Sequence, residues 1–512
     1  MADNGIVILD YGSQYTQLIA RRIRSKKVYS QILPFSAQRQ EVFSSHPRGL
    51  ILSGGPSSVF RDTAPALPSW FDSVDIPVLG ICYGMQLLAR DLGAPVESSS
   101  VGEYGHTSVK IDNKNDLFSG LGDALRVWMS HGDKVLEAPR GSLTIASSQE
   151  CKVASFVEPA SKKYGVQFHP EVHHTEYGDQ ILDNFIFNIC ECSPSWVAGN
   201  IIHETVDNIR ERVGKGRVIC AVSGGVDSSV TAGFVDRAIG KQQVCVFVDN
   251  GLLREGENDS VVALLKQQLS AAPVVVDARK RFLARLEGIV NPEEKRKRIG
   301  NLFVEIFEEV SKERGPFEFL AQGTLYPDRI ESTSTFGPSA TIKTHHNVGG
   351  LPEKLNFKLI EPLALLFKDE VRVIGAELGL PNEQLSRHPF PGPGLAVRVV
   401  GEITEEKLSV LRKADKIFID ALKHWGLYDQ VWQAGAVLLP VRSVGVMGDA
   451  RTYENAVVLR AVTSTDGMTA DWAKLDNAFL QEISNRIINS VTGINRVVYD
   501  ISSKPPSTIE WE

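Results

Sequence analysis

Short, β-branched apolar runs alternate with segments of helical spacing along the first part of the chain. The runs fall at 5–9, 28–33, 49–52, 76–81 and 164–168, and this alternation of strand and covering helix predicts an α/β sheet. A polar stretch from Asn188 to Asn200, carrying Ser193, Pro194, Ser195 and Gly199, breaks the rhythm and marks a domain boundary. A second series follows, with strands at 217–222, 243–248, 273–276 and 317–322 and helical segments between them, which predicts a second parallel α/β domain. Ile299, Leu302, Phe303, Ile306, Phe307 and Val310 recur at helical intervals and read as the core face of a helix, without a function of its own. The run His388-Pro-Phe-Pro-Gly-Pro-Gly394 cannot be regular structure, because each proline fixes φ and removes an N–H. Beyond it the spacing predicts a helix over 405–425, several strands and a second helix over 475–491. The expected architecture is α/β: two open, mainly parallel-sheet domains, 1–192 and 200–388, followed by a smaller α/β domain, 389–512.

Composition narrows the setting. A chain of 512 residues is too long for one core, which agrees with the divided pattern. With 43% hydrophobic and 23% charged residues, and no apolar run long enough to span a bilayer, a membrane protein is not expected. Met-Ala-Asp-Asn leads straight into the first strand without the basic start of a signal peptide, so a cytosolic setting is expected. In that compartment the six cysteines are thiols rather than a disulfide framework, and Cys82 alone has telling neighbours; Cys190 and Cys192 read as incidental. A net charge of −7 speaks against non-specific nucleic-acid binding.

Cys82 lies in Pro77-Val-Leu-Gly80-Ile-Cys82-Tyr-Gly84-Met-Gln86, which reads as a buried strand, a sharp turn and a helix. Flanking glycines permit such a turn, and a sulfur at a helix start has its thiolate stabilised by free N–H groups and the dipole. On those residues alone a buried structural cysteine reads as well as a nucleophile. Gly165-Val-Gln-Phe-His169-Pro-Glu171 supplies what a nucleophile needs, a base and an acid that orients it. Together with Leu52-Ser-Gly54-Gly55-Pro56, Cys82, His169 and Glu171 resemble the triad of a class I glutamine amidotransferase. The resemblance implies an oxyanion hole from the Gly55 and Tyr83 N–H groups, and places Gln86, His131 and Asp133 around the glutamine. His169, His173 and His174 lack the cysteine or carboxylate partners of a zinc site, so none is expected.

The strand over 217–222 runs into Ser223-Gly-Gly-Val-Asp-Ser-Ser229 and a helix expected to begin near Val230. Small residues let the backbone close around oxygens, helix-start N–H groups face an anion, and Ser223, Ser228 and Ser229 add hydroxyl donors. The absence of lysine excludes the Gly-x4-Gly-Lys-Ser/Thr loop. The segment resembles instead the pyrophosphate loop of N-type ATP pyrophosphatases, with Ser223, Gly224, Gly225, Val226, Asp227, Ser228 and Ser229 around the phosphates and Val248 and Asp249 at the adenosine. Asp227 is expected to organise the loop and the Mg²⁺-bound phosphates, the ion being held mainly by phosphate.

An amidotransferase followed by an ATP pyrophosphatase implies ATP-driven amination. Gly323-Thr-Leu-Tyr-Pro-Asp328-Arg-Ile-Glu331, Lys343-Thr-His-His-Asn-Val-Gly-Gly350, Val441-Arg-Ser-Val-Gly-Val-Met-Gly448 and Lys504-Pro-Pro-Ser-Thr-Ile-Glu510 extend the resemblance to glutamine-hydrolysing GMP synthetases. That family implies glutamine, ATP and xanthosine 5′-monophosphate (XMP) as substrates, and a C-terminal domain that forms a homodimer and helps to form the XMP site, with Arg296, Gln433, Lys504 and Glu510 as its contacts. It implies Lys343 on a mobile lid, and Asp328 and Glu331 as magnesium or interdomain contacts. Without the resemblance, the terminal tail reads as disordered and Lys295-Arg-Lys-Arg298 as a solvated helix start. The rival readings are a tRNA-modifying ATP pyrophosphatase, against which the acidic balance speaks, and a catalytically silent nucleotide-binding protein.

Overall fold

The computed structural model describes residues 4–61, 63–333, 357–447, 449–464, 467 and 469–512. The chain divides into two compact units, with the first break between Glu204 and Thr205.

The first unit is built on one nine-stranded sheet. Ile6–Asp10 (β1), Ser30–Pro34 (β2), Gly49–Leu52 (β3), Val78–Ile81 (β4), Val96–Ile111 (β5), Ala124–Val135 (β6), Leu143–Ser147 (β7), Ser155–Glu158 (β8) and Lys163–Val166 (β9) lie in the order β2-β1-β3-β4-β9-β8-β7-β5-β6. The block from β2 to β9 is parallel, and β8, β7, β5 and β6 continue it antiparallel. β3, β4 and β9 are buried at every position, the mark of central strands covered on both faces. β6 alternates instead, with Leu125, Val127, Met129, His131, Asp133 and Val135 turned inward.

The second unit contains two sheets. Val218–Ala221 (β10), Gln243–Asp249 (β11), Val274–Asp277 (β12), Phe319–Ala321 (β13) and Lys358–Ile360 (β14) form a fully parallel sheet in the order β12-β11-β10-β13-β14. The chain leaves β10 to one side for β11 and returns to its other side for β13, so the C-terminal end of β10 is a topological switch point. Gln433–Met447 (β15), Ala450–Thr463 (β16), Asp471–Trp472 (β17) and Ile494–Tyr499 (β18) form the other sheet, covered by the helices Glu405–His424 and Asn477–Ser490.

The helix after β10 starts at Val226 rather than near Val230, because Gly225 in extended backbone already serves as its N-cap. The stripe from Ile299 to Val310 faces the core of the helix Pro292–Arg314 as its spacing required. Lys295 in that helix is not solvated: it is fully buried, its ammonium donating to the carbonyls of Ala396 at 3.3 Å and Val399 at 2.8 Å and pairing with Glu512. Nor is the terminal tail loose, for the Arg460 guanidinium holds the carbonyls of Ser502, Thr508 and Ile509 at 2.8–3.1 Å.

Candidate active sites

In the first unit, β3, β4 and β9 are neighbours that end at one edge of the sheet, and each ends in a sequence-nominated segment: Gly54 and Gly55, Cys82, and His169. Cys82 joins β4 to the helix Tyr83–Asp91 with φ 52° and ψ −106°, a conformation that a residue with a Cβ avoids unless its surroundings impose it. They do impose it. The Cys82 N–H donates to Val166 O at 2.8 Å and the Gly84 N–H to Ser53 O at 3.1 Å. A Cβ on Gly80 would lie 2.6 Å from the backbone of Gly84, so the turn closes only without one. Cys82 is 5% exposed, its thiol lies 3.6 Å from Ser130 O, and the His169 imidazole is its electrostatic neighbour. Tyr83 opens the helix, so its N–H is among those with no carbonyl a turn earlier to receive it.

His169 Nδ1 lies 2.7 Å from Glu171 Oε1, with both side chains buried. A carboxylate on Nδ1 makes that nitrogen the donor and leaves Nε2 for the thiol. Burial disfavours the imidazolium, yet the adjacent Glu171 charge and hydrogen bonds with Cys82 and Glu171 outweigh it and hold the His169 pKa well above its ordinary value. Glu171→Gln removes the largest upward influence, so His169 should titrate at lower pH in ring NMR. Glutamine hydrolysis should fall about 10²–10⁴-fold. An unmoved titration would assign the elevation to Cys82 instead.

Gln86, His131 and Asp133 come together, but chiefly with one another. Asp133 O accepts from Gln86 Nε2 at 2.8 Å and meets His131 Nδ1 at 3.0 Å, while Asp133 Oδ2 accepts from the Val59 N–H at 3.2 Å. His131 Nε2 faces Glu103 Oε2 at 3.1 Å, and Ser148 donates to the other Glu103 oxygen at 2.9 Å. Burial raises the Glu103 pKa, but the bonds from His131 and Ser148 take it below its ordinary value. Glu103 and Tyr15, whose ring meets that of His169 edge-on at 5.1 Å, were not nominated from the sequence. Glu103 reaches His131 only through a cross-strand register that follows a bulge in β5.

In the second unit, Ser223–Ser229 follows β10 at the switch point. Ser223 and Ser228 hydroxyls lie 3.2 Å apart, and Ser228 Oγ donates to Gly225 O at 3.1 Å, folding the loop over the start of the helix Val226–Ile239. Ser229 differs from the other two serines: it is buried and its hydroxyl accepts from Gln384 at 2.6 Å. Asp227 is in the first turn of the helix. Val248 and Asp249 end the neighbouring β11, level with the loop, and Asp249 Oδ1 accepts from the Gly251 N–H at 3.0 Å.

Toward the C-terminus, Arg398 grips Glu510 with two hydrogen bonds, of 3.0 and 2.8 Å, and Gln433 Nε2 donates to the same carboxylate. These residues and Arg460 line a small cleft. Although burial opposes ionisation, the Arg398 charge and its hydrogen bonds hold the Glu510 carboxyl below the usual carboxylate range. Lys504 donates to Gly467 O at 2.8 Å, and Arg296 to Glu512 O at 2.5 Å. Asp328 stands in the first turn of the helix Tyr326–Thr333, which also carries Glu331; Lys343 and its segment lie outside the described residues. No helix among those described is long and apolar enough to cross a membrane.

Comparison with known proteins gives matches at both ends of the chain and along its whole length. The family profile described as "Glutamine amidotransferase class-I" matches residues 7–189, and that described as "GMP synthase C terminal domain" matches residues 420–511. Proteins named GMP synthase [glutamine-hydrolyzing] are similar over the whole length: 56% identity in Chlorobium phaeovibrioides, with 99% of both chains covered, and 53% in Caldanaerobacter subterraneus, again with 99% of both. One from Thermosipho africanus is 54% identical, over 99% of this chain and 100% of its own. At 53–56% identity over nearly the whole of both chains, the chain belongs to the family of glutamine-hydrolysing GMP synthases.

Proposed function

We propose that the chain aminates XMP to GMP, drawing ammonia from glutamine and driving the step with ATP, which leaves as AMP and pyrophosphate. The observation that carries this reading is the placement of Cys82, strained and buried, against the His169–Glu171 pair. The Cys82 sulfur attacks the glutamine side-chain carbonyl and His169 takes the thiol proton. His169 returns a proton to the departing ammonia, and water then hydrolyses the glutamyl thioester. Gly55 and Tyr83 N–H groups stabilise the oxyanion, while Gln86, His131 and Asp133 support the strand and helix that border the glutamine.

At the second site, the 2-oxo oxygen of XMP attacks the α-phosphorus of ATP and pyrophosphate leaves toward the Ser223–Ser229 loop. Ammonia displaces AMP from C2. Gly224, Gly225 and Val226 offer backbone, Ser223 and Ser228 offer hydroxyls, and Ser229 supports the loop from beneath. Val248 and Asp249 border the adenosine. Among the described residues no group of three or more His, Cys, Asp or Glu side chains is placed to hold a metal ion. Mg²⁺ would be carried on the ATP phosphates, with Asp227, Asp328 and Glu331 as the carboxylates available to it, and it would supply charge neutralisation for the leaving pyrophosphate. Gln433 and Glu510, oriented by Arg398, read the purine, Arg296 and Lys504 serve the XMP phosphate, and Lys343 closes on ATP. The functional modules are 1–192, 200–388 and 389–512. The last is a homodimer contact, an assignment supported by the exposed Val441, Val444, Val446 and Tyr453 on β15 and β16. The cytoplasm is the proposed setting for these reactions.

The test is GMP and pyrophosphate release from XMP and MgATP, with glutamine and with ammonium supplied separately. Equimolar GMP and pyrophosphate from both donors is expected. Glutamine hydrolysis without GMP from either donor would refute XMP as the acceptor.

A further inference from the structure

Gly224 is held from two sides. Its φ of +82° turns the peptide that follows it, and a Cβ there would enter the side chain of Val261, with Cγ1 at 2.9 Å. Val261 belongs to the helix Glu257–Gln268. On the other side, Arg387 Nη1 donates to the Gly224 carbonyl at 2.9 Å. The same guanidinium forms an ion pair with Glu257, the first residue of that helix, and Glu257 also accepts from the Arg254 N–H at 3.0 Å. The next residue, His388, stacks its ring on Tyr428, with centroids 3.8 Å apart and planes within 9°, and its Nε2 contacts Tyr428 O at 2.8 Å. Arg387 therefore stands on a segment fixed to the C-terminal sheet module while it grips the loop after β10.

The carbonyl of Gly224 and the N–H of Gly225 belong to one planar peptide and point in opposite directions. Whatever fixes the carbonyl fixes the direction of the N–H. An anion nest needs that N–H turned toward the ligand and the carbonyl turned away, since a carbonyl oxygen facing phosphate repels it. Arg387 is not placed as the phosphate's counter-charge, because Glu257 already neutralises it. We propose that Arg387 is a positioning residue for pyrophosphate binding: by holding the Gly224 carbonyl it aims the Gly225 N–H at the phosphate, and through His388 and Tyr428 it ties that aim to the C-terminal module. This rests on the reading of Ser223–Ser229 as the ATP loop.

The probe is magnesium pyrophosphate bound to the full chain, followed by calorimetry, alongside the KM for ATP in ammonium-driven GMP formation and the melting temperature. Arg387→Met should weaken pyrophosphate binding and raise the KM for ATP about tenfold, with Arg387→Lys recovering part of the loss. A role confined to stability would lower the melting temperature and leave the dissociation constant where it was; that result overturns the proposal. Should Arg387→Met not fold, Glu257→Gln, which loosens the guanidinium without removing it, should weaken pyrophosphate binding about threefold, and unchanged affinity there refutes the idea equally. Failure of the underlying reading looks different: the unaltered protein would bind pyrophosphate no better than a Gly224→Ala variant.

Discussion

Cys82→Ala should abolish GMP formation from glutamine, by about 10⁴-fold or more, and leave formation from added ammonium within about twofold of the unaltered rate. The expected size follows from what the sulfur does. Without it no thioester forms, and His169 and the oxyanion donors face an amide with no nucleophile in reach. The fold should survive, because the turn is held by backbone bonds from Cys82 to Val166 and from Gly84 to Ser53 and by the flanking glycines, none of which uses the sulfur. Ammonium enters after the step that is lost, so the adenylylating half should not register the change. The measurement is initial rate with each nitrogen donor at saturating XMP and MgATP. Equal loss with both donors would overturn the division of labour between the two units.

The strands that carry chemistry were legible because they are short, continuous and bounded by turns. β1, β3, β4, β10 and β11 fall within a residue or two of where their apolar runs stand. The Cys82 turn was legible for a related reason: glycines two residues to either side permit the close backbone approach that so sharp a turn needs. The antiparallel extension was not legible from continuous apolar runs, because β6 alternates apolar and polar positions along its twelve residues instead. β5 gives no comparable signal. It is long and polar, it holds Gly102 and Gly105, and its pairing shifts between Ser98 and Glu103, so that nothing local places Glu103 opposite His131. Lys295 and Arg387 were hidden for the same physical reason. Each is a cation whose partners, Glu512 in one case and Gly224 and Glu257 in the other, lie more than a hundred residues away. Charge in a local window reads as solvation, whereas burial of a charge is decided by what the fold brings to it.

Gly224→Ala should remove GMP formation from both nitrogen donors, by about 10²-fold or more, while glutamine hydrolysis in the first unit persists. Two effects add. At φ +82° an alanine is strained by roughly 1–2 kcal/mol relative to glycine. The new methyl would also overlap Val261, whose β-carbon and both γ-carbons all lie within 3.2 Å of its position. Val261 is itself buried on the helix Glu257–Gln268, so it cannot yield freely. The backbone must turn instead, and turning it takes the Gly224 carbonyl off Arg387 and the Gly225 N–H away from its present direction. The loss is then one of pyrophosphate coordination at the α–β bond that breaks, and it appears in the KM for ATP as well as in the rate. Ammonium cannot rescue it, because no adenylylated acceptor forms for ammonia to attack. Paired with Cys82→Ala, the variant separates the two chemistries: one chain hydrolyses glutamine without making GMP, the other makes GMP without hydrolysing glutamine. Mixing the two should restore glutamine-driven synthesis only insofar as free ammonia passes through solution. The recovered rate should therefore rise with pH as the fraction of ammonia over ammonium increases, since only the unprotonated form carries the lone pair that attacks C2.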